Sequence, residues 1–434
     1  MENLLFTKTA REHHFSGIEG KFSRPGMVGL IPPAWVQKSP LYSIYPRSFS
    51  KRGRLQDIGE KIPDLKSLGI RTIWLMPIHQ VGDAGRKGSQ GSPYAIRDHK
   101  SIADDLGGPG DLHALIKTIH ENDMRLILDF VGNHAAKDHI YPHLLSRRNI
   151  RSSADWTDVS DFDFSGTETS RYLLEVMRYW VETFDIDGYR CDVAGLVPDV
   201  FWEEAVENLF RLKPDLFLLA EWQRPALHEK LFHAGYDWVL YLILKDIRNH
   251  RRPPGDIIGW ETEQQKLYPG KKLLLRFTEN HDLPRTMDVF GTDTYQVFAG
   301  LPYCLEGLPL IYAGQEWGIP VLPDLFEKDP VPWHKGDQNV YQFYHGLIDL
   351  RWQHPALAGG NIEQIFAGSE NVLTFRKYNR DESLIVVANF DADQTVTLPA
   401  GYQGGFTDLL SGKRIEGGRL HPDPFHMMIL LPED

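Results

Sequence analysis

Cysteine is almost absent: among 434 residues only Cys191 and Cys304 occur. Two thiols cannot form a disulfide framework, so burial rather than cross-linking must hold the chain, and both are expected to be buried and free. A basic surplus is lacking as well. The formal net charge is −12, which argues against nucleic acid or an anionic membrane as a partner. No apolar run approaches the roughly 20 residues needed to span a bilayer. The start, Met1-Glu2-Asn3-Leu4-Leu5-Phe6-Thr7-Lys8, has no basic segment followed by a long apolar one, so a cytoplasmic setting is expected. Low-complexity segments are missing, and so is any internal repeat beyond the alternation described below.

Aromatic side chains are plentiful, at 12% of residues with 11 Trp and 17 Tyr. Most must be core, but such a supply also suits sugar rings, whose apolar C–H faces stack on aromatic planes. The hydrophobic share of 42% and charged share of 24% are those of an ordinary globular protein.

From Leu41 onward, short apolar runs alternate with segments of helical period. Strands are expected at Leu41–Tyr45, Arg71–Pro77, Arg125–Phe130, Phe184–Val193, Leu216–Glu221, Tyr236–Tyr241, Leu273–Phe277 and Leu308–Tyr312. Between them, Ile58, Ile62 and Leu65 mark one helix face. Leu112, Leu115, Ile116 and Ile119 mark another, with Asp111 as its cap. Leu173, Met177, Trp180 and Phe184 form a third, and Phe343, Leu347, Leu350 and Arg351 the closing one. Eight such units predict a closed (β/α)8 TIM barrel.

The expected organisation is an N-terminal arm over 1–38, a barrel over 39–356 and an all-β, sandwich-like domain over 357–434. Two connections, 79–110 and 135–169, are too long for simple barrel turns, which marks them as functional. The pair His13 and His14 has no neighbouring ligand cluster and reads as part of the arm. The basic run Ser146-Arg147-Arg148-Asn149-Ile150-Arg151 reads as a solvated face.

Four strand ends carry polar residues of catalytic type. They are Asp129-Phe130-Val131-Gly132-Asn133-His134, Gly188-Tyr189-Arg190-Cys191-Asp192, Glu221 with Trp222, and Asn280-His281-Asp282. Arg190 and Asp192, two apart on a strand, share a face. Such a pair alone is commonly a plain salt bridge. Asp129 can be read as a buried structural carboxylate pairing with Arg190, and Trp222 either as packing or as lining a site beside Glu221. Clustering at the C-terminal ends of successive barrel strands, where such folds place their active sites, favours function.

These four stretches, in this order, resemble the motifs of the α-amylase superfamily (glycoside hydrolase family 13). Ile44-Tyr45-Pro46-Arg47-Ser48-Phe49, Pro93-Tyr94-Ala95-Ile96-Arg97-Asp98 and Tyr312-Ala313-Gly314-Gln315-Glu316 extend the resemblance from about residue 39 to the C-terminus. The resemblance implies a retaining glycoside hydrolase acting on α-glucosidic bonds, most simply α-1,4, in malto-oligosaccharides or α-glucans. Asp192 would be the nucleophile, kept ionised by Arg190. Glu221, with a raised pKa, would be the acid and then the base, and Asp282 a third carboxylate favouring the transition state. Tyr94 would stack on the sugar, and His134, Arg190 and His281 would complete the substrate-binding set.

Two departures matter. The family's L-P-D-L-N segment corresponds here to Ser160-Asp161-Phe162-Asp163-Phe164, and the 135–169 insertion is short. After Asp192 comes Val193-Ala194-Gly195-Leu196-Val197, without the His and Lys that many relatives have there. No cofactor is firmly implied. Calcium, held in many relatives through the Asn of the first motif, is not assembled from these residues. Val193 resembles the α-1,6-acting oligosaccharide glucosidases, while Gly88-Ser89-Gln90-Gly91-Ser92-Pro93-Tyr94 resembles compact bacterial α-amylases. An α-1,6-glucosidase, a transglycosylase and a non-catalytic glucan-binding scaffold therefore stand as alternatives. The scaffold would be expected to lose a catalytic carboxylate, yet Asp192, Glu221 and Asp282 are all present. The expected partner is an oligosaccharide or polysaccharide, with oligomeric state open.

Overall fold

Eight parallel strands close on themselves in chain order. They are β1 (Leu41–Ile44), β2 (Thr72–Leu75), β3 (Arg125–Val131), β4 (Gly188–Asp192), β5 (Phe217–Ala220), β6 (Ala234–Tyr236), β7 (Leu273–Arg276) and β8 (Leu308–Tyr312). The structure, a computed structural model, describes residues 30–147, 155–268, 273–366, 368–392, 394–402 and 404–433. His13, His14 and most of the expected arm lie outside them, as does the basic run beyond Arg147.

Parallel strands with helices outside and side chains inside are buried on both faces. Accordingly every residue of β1, β2, β4, β5 and β8 is buried. Register then places the chemistry. Asp129 lies opposite Arg190, and Val131 opposite Asp192, across the β3–β4 pair. Among the described residues no helix is long and apolar enough to cross a membrane.

The expected strand at Tyr236–Tyr241 is corrected. Only Ala234–Tyr236 is strand, and Trp238–Arg248 is helix. Asp237 caps that helix by accepting a hydrogen bond from the Leu240 amide at 3.1 Å. A short apolar run buried on all sides has no period that separates strand from helix. Asp111 is likewise not the cap. The helix begins at Pro109, and Asp111, in its first turn, accepts from the Gly108 amide at 2.8 Å. The face of Ile58, Ile62 and Leu65 spans two short helices, Leu55–Gly59 and Ile62–Ser67, with Pro63 near the start of the second.

Beyond the barrel lies one six-stranded antiparallel sheet, in the order Asn361–Gln364, Val372–Tyr378, Ser383–Asn389, Met427–Pro432, Phe406–Asp408 and Arg414–Ile415. A two-stranded ribbon, Val396–Thr397 with Arg419–Leu420, covers one face, where Val372, Ile385, Val387 and Leu430 pack with Val396 and Leu420. The opposite face, with Phe375, Val386 and Ile429, joins the barrel core. Contact is close enough that a Cβ on Gly300 of helix Tyr295–Cys304 would overlap the Met427 sulfur. The C-terminal region is thus a six-stranded sheet packed between barrel helices and a two-stranded ribbon. The edge strand Asn361–Gln364 escaped notice because its side chains are largely exposed and carry no apolar alternation.

Outside the site, Arg276 is buried and forms ion pairs with Asp237 and Glu261, donating also to Gln264 at 3.0 Å and to the Glu306 carbonyl. Arg276→Met leaves two buried carboxylates without their cation. It should cost about 3–5 kcal/mol, measured as the urea-midpoint shift at constant slope; an unchanged midpoint would refute this role for the cluster.

Candidate active site

At the C-terminal rim of the barrel, Arg190 is fully buried and serves three carboxylates at once. One terminal nitrogen lies 2.9 Å from Asp129 and 2.9 Å from Asp192; the other forms an ion pair with Glu221 at 2.9 Å. Three rings, Trp74, Tyr94 and Tyr236, surround the guanidinium at 5.0, 5.8 and 5.6 Å. Arg190, expected in the substrate-binding set, has no exposed surface and is not among the residues that line the pocket described below. Asp129 is the buried partner, holding the Trp74 indole at 3.2 Å as well.

One cation cannot neutralise three carboxylates in a dry site. Burial is the leading influence on each, opposed by Arg190: Asp129 rises to about 6, Asp192 to about 7 and Glu221 to about 8. The expectation that Arg190 alone would keep Asp192 low is therefore corrected, because the guanidinium is shared. What survives is the order: Glu221 holds its proton to higher pH than Asp192. The form with Asp192 ionised and Glu221 protonated is most populated between those values. Activity should therefore fall on both sides of a maximum between about pH 7 and 8 in a kcat/KM profile, and a flat profile to pH 10 would contradict the assignment.

Glu221 is further fixed from the backbone. Val193, directly after β4, has φ +36°, a left-handed conformation unfavourable for a β-branched residue, and its amide donates to Glu221 at 2.8 Å. The turn thus aims an N–H at the general-acid candidate, a role that residue types alone do not announce. Two residues on, a Cβ at Gly195 would overlap the Trp222 indole. Trp222 lies against that glycine, directly after Glu221 in the chain.

Across the site, the Tyr94 hydroxyl stands 2.7 Å from His281 Nε2 and 3.3 Å from Asp129, and the two rings stack at 5.6 Å with 21° between their planes. His281 Nε2 is also 3.2 Å from Asp282. The amide of Asp282 donates to the Asn280 side chain at 2.8 Å, which sets the turn after β7. His134 Nε2 lies 4.0 Å from Asp192, and its ring packs at 5.0 Å from Trp156. Burial lowers both histidines to about 4, so each is neutral at pH 7, with one ring N–H to donate and one nitrogen to accept. Tyr94, His134, Asp192, Glu221, His281 and Asp282 all line one pocket. Lys87, Trp156, Asp158, Leu325 and Phe326 line it too. Sequence reading missed these five, since they sit on long loops whose approach to the barrel axis no local pattern reveals.

Among the described residues no group of three or more His, Cys, Asp or Glu side chains is placed to hold a metal ion. The Asn133 amide nitrogen faces His134 at 3.3 Å, and position 193 offers only a valine.

Comparison with known proteins agrees with this geometry. The family described as alpha amylase, catalytic domain, matches residues 43–158. An α-amylase, MalA, of Haloarcula japonica is 29% identical over 428 residues, covering 92% of this chain; the chain spans 62% of that relative's length. A noncanonic maltogenic α-amylase, AmyB, from Thermotoga neapolitana superposes with a TM-score of 0.84 at 28% identity, covering 92% of this chain and 100% of its own. An α-amylase from Lactobacillus plantarum gives 0.83 at 26%, with the same coverage. Likeness of this extent, in sequence and fold over the same nine-tenths of the chain, goes beyond a shared barrel: the chain is similar to α-amylases in both its barrel and its C-terminal sheet.

Proposed function

We propose that the protein is a retaining hydrolase of α-glucosidic bonds, α-1,4 above all, in malto-oligosaccharides or α-glucans. One observation carries this reading: a single buried guanidinium holds Asp192 and Glu221 on its two terminal nitrogens, directly under a pocket roofed by Tyr94 and His281. Retaining enzymes keep their two carboxylates close, while inverting ones separate them by the width of a water. Two carboxylates on one planar cation fit the closer pair.

In the first step Asp192 attacks the anomeric carbon as the bond to the leaving oxygen breaks, and the Glu221 proton passes to that oxygen. In the second, Glu221 takes a proton from water, whose oxygen displaces Asp192 at the same carbon. Asp282, His134 and His281 offer acceptors and donors for the hydroxyls of the distorted ring, and Tyr94 its stacking plane. Val193 positions the acid, and Arg190 the pair.

The test is a product time-course on maltoheptaose followed by NMR. Malto-oligosaccharides first appearing as the α-anomer are expected. First appearance of the β-anomer would overturn retention, products longer than the substrate would indicate transfer to sugar rather than water, and turnover of isomaltotriose alone would move the linkage to α-1,6.

A further inference from the structure

We propose, resting on the reading above, that a three-loop wall closes the pocket on the side away from Glu221, so that the enzyme works inward from the non-reducing end of the glucan. Direction follows from the order of the strands. Glu221 follows β5, and in a closed ring of eight the strand diametrically opposite β5 is β1. The wall comes from the connections after β2 and β8, which flank β1, and after β3, next beyond β2: Lys87 follows β2, Asp158 follows β3 and Phe326 follows β8.

These loops are tied to one another. The Lys87 ammonium pairs with Asp158 at 3.2 Å, donates to the Asp155 carbonyl at 3.0 Å and lies 5.5 Å from the centre of the Phe326 ring. The Gln90 amide donates to the Phe326 carbonyl at 2.9 Å and the Ser89 amide to Glu327 at 2.9 Å. After β1 itself, the Tyr45 hydroxyl donates to the Leu325 carbonyl at 2.9 Å. Left-handed glycines at 85, 88 and 91 let the first loop fold this tightly, and a Cβ at Gly88 would collide with Phe326 and Glu327.

Stereochemistry turns the wall into specificity. The leaving group departs from C1 toward Glu221, so C4 of the reacting unit, where the chain continues toward its non-reducing end, points toward the wall. One oxygen there is unspent: Asp158 lines the pocket, and its Oδ2 is buried without a hydrogen-bond partner among the described residues. A buried acceptor of that kind is costly unless a ligand donor satisfies it. The free hydroxyl of a terminal glucose is such a donor, whereas an internal unit carries a further ring in its place. Lys87 is the positioning residue, holding Asp158 through its other oxygen.

The experiment compares 4-nitrophenyl α-maltoheptaoside with the same substrate capped by a 4,6-O-ethylidene group at its non-reducing end, products being resolved by chromatography. The parent enzyme should release glucose from the non-reducing end of the free substrate and act on the capped one roughly a hundredfold more slowly. Lys87→Ala and Phe326→Ala should each narrow that gap by raising the relative rate on the capped substrate. Equal parental rates on the two, or mixed product sizes from the free substrate at first turnover, would overturn the wall while leaving hydrolysis standing. Folded variants that keep the parental ratio would overturn the loop assignment. Turnover of neither substrate by the parent would remove the hydrolytic reading together with this one, and the parent alone decides direction should both variants fail to fold.

Discussion

Asp192→Asn should reduce turnover of malto-oligosaccharides by roughly ten-thousand-fold or more, about 5.5 kcal/mol of lost transition-state stabilisation at 1.36 kcal/mol per tenfold. The amide is close in shape and cannot form the glycosyl bond. Because Arg190 keeps Asp129 and Glu221 as partners, the barrel should remain intact. The variant should even gain stability at neutral pH, and the sign can be worked through. Burial raises Asp192 to about 7 from an ordinary value near 3.8. The folded chain therefore binds more protons than the unfolded one, and this carboxyl lowers stability progressively as pH climbs from about 4 toward 7. An asparagine carries no such penalty. The melting-temperature difference between variant and parent should thus be small at pH 4 and widen in favour of the variant by pH 8. Full activity in Asp192→Asn would remove the nucleophile assignment, and a variant less stable at pH 8 than at pH 4, relative to the parent, would remove the electrostatic one.

The second large effect belongs to Glu221→Gln. Loss of a general acid should slow malto-oligosaccharide cleavage by roughly 10²–10⁴-fold, and the penalty depends on the leaving group. On α-glucosyl fluoride, whose departing fluoride needs no protonation, the first step should be nearly preserved. Added azide should accelerate the second, since it attacks the glycosyl intermediate without needing a base. The alkaline limb of the pH profile should also vanish, because burial holds the group responsible at about 8 in the parent. Equal losses on fluoride and maltoheptaose, with the alkaline limb retained, would assign the acid to another residue.

Much of this was legible in the residues. Asp129, Arg190, Asp192, Glu221 and Asp282 stand at strand ends in fixed order, and apolar runs of barrel-strand length separated by helical periods predict where those ends converge. Reading failed where tertiary context replaced local pattern. Tyr236–Tyr241 reads as strand because a run buried from every side shows no period, and its switch to helix rests on the Asp237 cap. The ionisation of Asp192 is not legible locally: the residues show Arg190 beside it and offer Asp129 as a second partner, but not that Glu221 claims the same guanidinium. Arg190 itself was expected at the sugar, and only its burial shows that it lies beneath.

By itself the sequence determined the alternation, seven of the eight strand ends and the carboxylates they carry, because strand and helix periods are local properties of side-chain order. Only the tertiary structure decided the sharing of one guanidinium, the left-handed turn at Val193 that aims an amide at Glu221, and the meeting of Lys87, Asp158 and Phe326 over the pocket. Those depend on distances between residues tens to hundreds of positions apart. Such distances are set by closure of the barrel and the packing of its long loops, which no stretch of chain encodes alone.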